Sequence, residues 1–208
     1  IKTVAILGAG AVGSYVIWGL AGLKDVRLGL IAQGERQERL RKEGCLINDE
    51  VYRPEVWTPE EAHNTGVDLL IVSLKYGALK GALDNIATAI GENTIVMSLM
   101  NGVDSEELIA KHIGKEKLLY SLIKVASHKE NDEYVFGRGY YFNPDTTIGI
   151  IFGETADKVS ASDKILEQTL VSDRIKLIDE LFAASRLNYR VTEHIKEEMW
   201  SKFRLNVS

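Results

Sequence analysis

Along its 208 residues the chain alternates short apolar runs with stretches in which apolar positions recur at every third or fourth place. Thr3-Val4-Ala5-Ile6-Leu7 is almost wholly apolar and stops at a glycine, the pattern of a strand covered on both faces in a parallel sheet. Val12, Val16 and Leu20 then recur at helical spacing, and Val26 to Ile31 returns to strand character, completing a strand, helix, strand unit. The handedness of such crossovers makes the two strands parallel neighbours. The alternation continues with a strand over Val67–Leu74, a helical stripe at Leu79, Leu83, Ile86 and Ile90, a strand over Thr94–Met100 and a helix near Ser105–His112. Strands are predicted around Leu118–Ala126, Tyr134–Phe136 and Thr147–Phe152, then a helix over Asp173–Ser185, a short strand at Tyr189–Val191 and a helix from Glu193 onward. Pro54, Pro59 and Pro144 read as loop residues.

The last helix carries Ile195, Met199, Phe203 and Val207 at spacing four, a stripe still running where the chain stops. It predicts the first helix of a second, all-α domain that is cut short, with boundaries at 1–192 and 193–208. Trp200 on that helix reads as core or interface packing rather than as a ligand contact.

Composition narrows the function classes. With 45% hydrophobic and 26% charged residues, the chain is built to fold rather than to stay disordered. Lys plus Arg number 25 against 30 Asp plus Glu, a net charge of −5, which argues against a nucleic-acid or anionic-membrane partner. Cys45 is the sole cysteine, so no internal disulfide forms, and no apolar run approaches the roughly 18 residues of a membrane span. The chain opens directly on a strand with no room for a leader, and a cytoplasmic location is expected. His63, His112, His128 and His194 lack metal-ligand spacing and Cys45 has no partner motif, so neither a metal nor thiol catalysis is predicted.

The chemistry-bearing pattern is Gly8-Ala9-Gly10-Ala11-Val12-Gly13, which fits G-x-G-x-x-G between a strand and a helix. Its first glycine permits the turn, its second admits a pyrophosphate to the backbone, and its third lets helix and strand pack closely, while the helix terminus offers free N–H groups. Dinucleotide binding on a Rossmann-like, doubly wound α/β sheet follows. Where an acidic residue would hold the ribose of NAD, the second strand ends in Ala32 and Gln33, with Arg36 and Arg39 just beyond; this favours NADP(H). Glu35 to Arg39 could equally be a solvated helix start with paired charges. Lys75 and Asn101-Gly102 end successive strands at the ligand-binding edge, although a solvent-facing lysine and an ordinary Asn-Gly turn would look the same. Glu198, Lys202 and Asn206 form a polar stripe, in which Glu198 and Lys202 read most simply as a surface ion pair.

Taken together, Gly8 to Gly13, Ser73-Leu74-Lys75, Asn101-Gly102 with Glu106-Glu107-Leu108, and Trp200-Ser201-Lys202 with Asn206 resemble the ketopantoate reductase family, 2-dehydropantoate 2-reductases that reduce a 2-keto acid with NADPH. The resemblance implies that Lys202 donates the proton and helps bind substrate, that Asn206 and Asn101 bind substrate, and that Lys75 and Asn101 contact the cofactor. It further implies a backbone cofactor contact at Ala126, remaining substrate residues beyond Ser208, and a small-molecule 2-keto acid as partner, with a homodimer as one allowed assembly. The family often has Arg where this chain has Gln33, so Arg36 would have to meet the 2′-phosphate. Two other readings stay open: a non-catalytic NAD(P)-sensing module, and another two-domain dehydrogenase acting on a hydroxy acid or polyol phosphate.

Overall fold

The computed structural model describes residues 1–131, 138–155 and 172–207. β1 (Thr3–Leu7), α1 (Ala11–Leu20) and β2 (Arg27–Ile31) form the predicted opening unit, with β1 and β2 parallel and Thr3 opposite Arg27. Every β1 residue is buried, because elements cover both sheet faces and leave no place for a polar alternation. α2 (Gly34–Glu43) buries only Leu40 and turns its charges to water. A hairpin follows, β3 (Cys45–Ile47) and β4 (Glu50–Tyr52), turning through Asn48 and Asp49, both at positive φ as a tight hairpin requires. Next come β5 (Glu55–Trp57) and α3 (Pro59–Thr65). Pro59 is therefore not a loop residue: it opens α3 inside a Thr58/Glu61 capping box, where its missing N–H removes no helical bond.

β6 (Leu69–Val72), α4 (Tyr76–Leu79), α5 (Leu83–Ala89), β7 (Ile95–Ser98), α6 (Ser105–Ile113) and β8 (Leu118–Lys124) continue the alternation. The described chain then runs through β9 (Ser127–Asn131), β10 (Arg138–Phe142), β11 (Gly149–Gly153), α7 (Asp173–Ala183), β12 (Tyr189–Val191) and α8 (Ile195–Val207). The main sheet has the order β12-β11-β8-β7-β6-β1-β2-β5. From β5 to β8 every pairing is parallel; β11 joins β8 antiparallel and β12 runs parallel to β11. The chain leaves β1 to one side and returns on the other, so the order reverses between β1 and β6, the place where sheets of this class bind ligands.

Alternate strand residues feed two cores, Val4 and Ile6 on one face, Ala5 and Leu7 on the other, each large buried side chain contributing about 1.5–3 kcal/mol. A second sheet, β4-β3-β10-β9, lies against α1, where Tyr15 and Trp18 meet Phe142 at 5.2 and 5.4 Å. Periodicity misses this sheet and β5, since strands of three residues carry too little of a period to read. The strand predicted to Ala126 ends at Lys124, and the one predicted at Tyr134–Phe136 lies outside the described residues.

On α8, Ile195 and Met199 pack on Leu122 and Ile151 of the sheet, as the stripe predicts, and Phe203 is half-buried. The side chain of Val207 lies outside the described residues. Trp200 is not core packing: it is 51% exposed and meets the edge of Phe203 at 5.9 Å, being one step around the helix from the buried face. No helix among the described residues is long and apolar enough to cross a membrane.

Candidate functional site

The turn after β1 is built by steric necessity. Gly8 has φ +113°, and a Cβ there would lie 2.7 Å from the Ser73 carbonyl oxygen, so a side chain would force apart the ends of β1 and β6. Ser73 closes that junction by donating from its hydroxyl to the Gly8 carbonyl at 2.6 Å. At Gly13 a Cβ would fall 1.9 Å from the Gly8 oxygen, so the third glycine is what lets α1 start this close to the strand. Gly10 is different in kind, because nothing lies within 4 Å of where its Cβ would be. Gly10 caps α1 with no side-chain hydrogen bond, and the first turn, Ala11, Val12 and Gly13, holds no acidic residue. An uncapped ten-residue helix behind an open glycine fits a diphosphate, through both its N–H donors and the positive end of its dipole. Ala9 completes the loop, half-buried against the core.

Four further predicted residues lie beyond the C-terminal ends of the strands. Gln33, the residue before α2, is exposed, as is Arg36 in the first turn of that helix, and neither side chain is bonded among the described residues. Lys75 follows β6, exposed and without a side-chain partner among the described residues. Ala126 is exposed between β8 and β9.

The fold joins Asn101 to Lys202 across 101 positions of sequence. Lys202 donates from Nζ to Asn101 Oδ1 at 3.0 Å and to the Ile123 carbonyl oxygen on β8 at 2.6 Å. An ammonium has three N–H donors and uses two of them among the described residues, which leaves a third for a ligand oxygen. Burial pushes the Lys202 amine below its ordinary value, the neighbouring charge of Lys124 adds to this, and Glu106 opposes it. The Glu198 to Lys202 ion pair read from spacing does not form: Arg190 on β12 takes Glu198 in a two-pronged contact, with Nη1 to Oε1 at 2.7 Å. Asn206 lies on α8, but its side chain is outside the described residues.

Residue-type reasoning also leaves Glu106 without a role. It is fully buried in the first turn of α6, with Ser105 Oγ donating to its Oε2 at 2.8 Å and Ser98 Oγ 2.9 Å from Ser105 Oγ. Burial pushes its carboxyl up to about 7, against the Ser105 hydrogen bond and the charge of Lys202. The available signal was an acidic residue in the first helical turn after Asn101-Gly102, which reads equally well as an exposed helix start. A separate cleft of about 830 Å³ near Glu107, Tyr120, Lys196 and Trp200 is lined by neither the glycine turn nor Lys202.

Comparison with known proteins adds a family. Residues 4–151 match the family model described as ketopantoate reductase PanE/ApbA. The uncharacterised oxidoreductase YkpB of Bacillus subtilis is 23% identical over 202 residues, which are 95% of this chain and 60% of that protein. The 2-dehydropantoate 2-reductase of Mesorhizobium japonicum is 25% identical over 228 aligned positions, covering 99% and 64%. Among solved structures, a ternary complex of D-mandelate dehydrogenase with NADH and anilino(oxo)acetate superposes with a TM-score of 0.70 at 21% identity, over 97% of this chain and 60% of that one; it shares the fold. The chain thus spans 60% to 64% of the length of these two curated relatives.

Proposed function

Since the chain belongs to the ketopantoate reductase family, an oxidoreductase family, we propose that the full-length protein reduces a 2-keto acid with NADPH, and that 2-dehydropantoate, giving pantoate, is its substrate. The observation that carries this reading is the Lys202 ammonium, seated on Asn101 after β7 and on Ile123 of β8, with one donor uncommitted among the described residues. The glycine turn and the start of α1 would hold the diphosphate, Arg36 with Gln33 the 2′-phosphate side, and Lys75, Asn101 and the Ala126 backbone the rest of the dinucleotide. Residues 193–208 are assigned to the start of the substrate domain, with Asn206 and Asn101 as substrate contacts beside Lys202.

When bound, the reduced nicotinamide supplies a hydride. With that hydride delivered to the keto carbon and the carbonyl π pair displaced onto oxygen, the Lys202 ammonium would give its proton to that oxygen, completing a two-electron reduction of the keto acid at the expense of the cofactor. Lys202 meets the growing negative charge within hydrogen-bond reach, the place where a fixed donor lowers the barrier most. Ile123 and Asn101 hold the amine in that position, so little reorganisation is left for the reaction itself.

The test is NADPH oxidation by the full-length protein with 2-dehydropantoate and a panel of 2-keto acids, run beside NADH. Turnover fastest with NADPH and 2-dehydropantoate is expected. Cofactor binding without oxidation across the panel would replace the reductase with a nucleotide-sensing module. Lys202→Ala is expected to lower kcat by about 10²–10⁴-fold with NADPH affinity unchanged; an unchanged kcat removes Lys202 from the chemistry.

A further inference from the structure

Glu106 stands in an unusual position for a carboxylate. It is 0% exposed, Ser105 fixes its Oε2, and the Ser98 end of that chain is tied to β8 through Ser121, whose hydroxyl donates to the Ser98 carbonyl at 2.8 Å. Its Oε1 is buried and has no hydrogen-bond partner among the described residues. A carboxylate in this situation is unfavourable unless a cation compensates it. The cation that acts on it is Lys202; Asp104, just before α6, acts in the opposite sense.

Lys202 presents the complementary problem. It is half-buried, and both groups it donates to among the described residues, Asn101 Oδ1 and the Ile123 carbonyl, are neutral. Lys124, at the end of β8, faces it with a like charge, and Glu106 is the negative group acting on it. A half-buried amine between neutral acceptors and near a second lysine holds its proton less tightly, and a deprotonated amine cannot act as an acid.

From this arrangement we infer that Glu106 is a positioning residue, the internal counter-charge that keeps the Lys202 ammonium protonated in its seat beside Asn101. The inference rests on the proposed reduction only for the use made of that ammonium; the coupling of the two charges exists without it. Because the groups interact, they titrate as a pair. Ionisation of Glu106 strengthens the hold of Lys202 on its proton, and neutralising Glu106 weakens it.

The experiment follows the Lys202 side chain by NMR in full-length protein labelled with ¹³C,¹⁵N-lysine, its resonance identified by loss in Lys202→Arg. Wild type is expected to show a second inflection in that resonance near pH 7, as Glu106 titrates. In Glu106→Gln the main Lys202 midpoint is expected to fall by about one unit, a tenfold loss of proton affinity. Glu106→Asp should recover part of the shift, and Glu107→Gln, an exposed neighbour, should leave it unmoved. In kinetics the basic limb of kcat should move to lower pH in Glu106→Gln, less far in Glu106→Asp, and not at all in Glu107→Gln.

An unmoved midpoint in folded Glu106→Gln overturns the inference, as does an equal shift in Glu107→Gln. Should the Gln variant fail to fold, absence of the inflection in wild type overturns it by itself. Coupling without turnover on any 2-keto acid would sink the proposed function and leave this inference standing; turnover with an unmoved midpoint would do the reverse.

Discussion

Burial of Glu106 makes stability depend on pH in a direction opposite to that of most carboxylates. Its carboxyl rises from an ordinary 4.5 to about 7 in the fold. Between those values the folded protein holds a proton that the unfolded chain has released. Stability therefore falls as pH rises through that window, by roughly 3 kcal/mol in total, and this contribution is flat above it. Glu106→Gln is expected to gain on wild type in Tm by several degrees at pH 8 relative to pH 4.5; a Tm difference equal at the two pH values rejects the assignment. Cys45 illustrates the same physics in a thiol: burial pushes it up to about 11 despite Arg36 and Arg39, which disfavours the thiolate. Spacing misled at Glu198 because an i,i+4 rule sees only partners on the same helix, whereas Arg190 reaches it from β12.

The glycine turn was legible because its requirements are local: three glycines, a strand before and a helix after. What each glycine does only coordinates decide, and they separate two variants that look alike in sequence. Gly13→Ala would drive a methyl into the Gly8 carbonyl, so a marked fall in Tm is expected along with lost dinucleotide binding. Gly10→Ala meets nothing within 4 Å, so Tm should move little while NADPH affinity falls tenfold or more, as measured by fluorescence titration. Equal Tm losses in both would mean that Gly10 serves packing rather than a ligand. The short hairpin β3–β4 and the antiparallel entry of β11 were not legible. Three-residue strands have no measurable period, and a buried run such as Gly149–Gly153 carries no mark of its direction.

Across the whole molecule, the reversal of strand order between β1 and β6 places the glycine turn at the switch point and puts Lys75, Asn101 and Ala126 at the ends of successive strands along one sheet edge. That arrangement makes the protein a linkage device, since a ligand bound only by the folded form raises its stability by about 2.7 kcal/mol at a hundred times Kd. NADPH is accordingly expected to raise Tm more than NADH at equal concentration. Arg36→Ala should weaken NADPH about tenfold and leave NADH nearly unchanged. A parallel loss for both cofactors would show that Arg36 does not meet a 2′-phosphate, and with Gln33 in place of the frequent arginine that outcome would move the preference toward NAD.

The alternation of the longer strands and helices, the parallel opening unit and the phosphate-fitting turn were determined by the sequence itself, because each rests on residues a few places apart and on periods that neighbouring residues impose on one another. The seat of Lys202, the Arg190–Glu198 pair and the stranded Glu106 oxygen were decided only in three dimensions. Solvent removal and hydrogen-bond partnership arise from segments far apart in the chain, 101 positions for Asn101 and Lys202, and whether a charged group is tied to a neighbour or shut away from water is written in no local pattern.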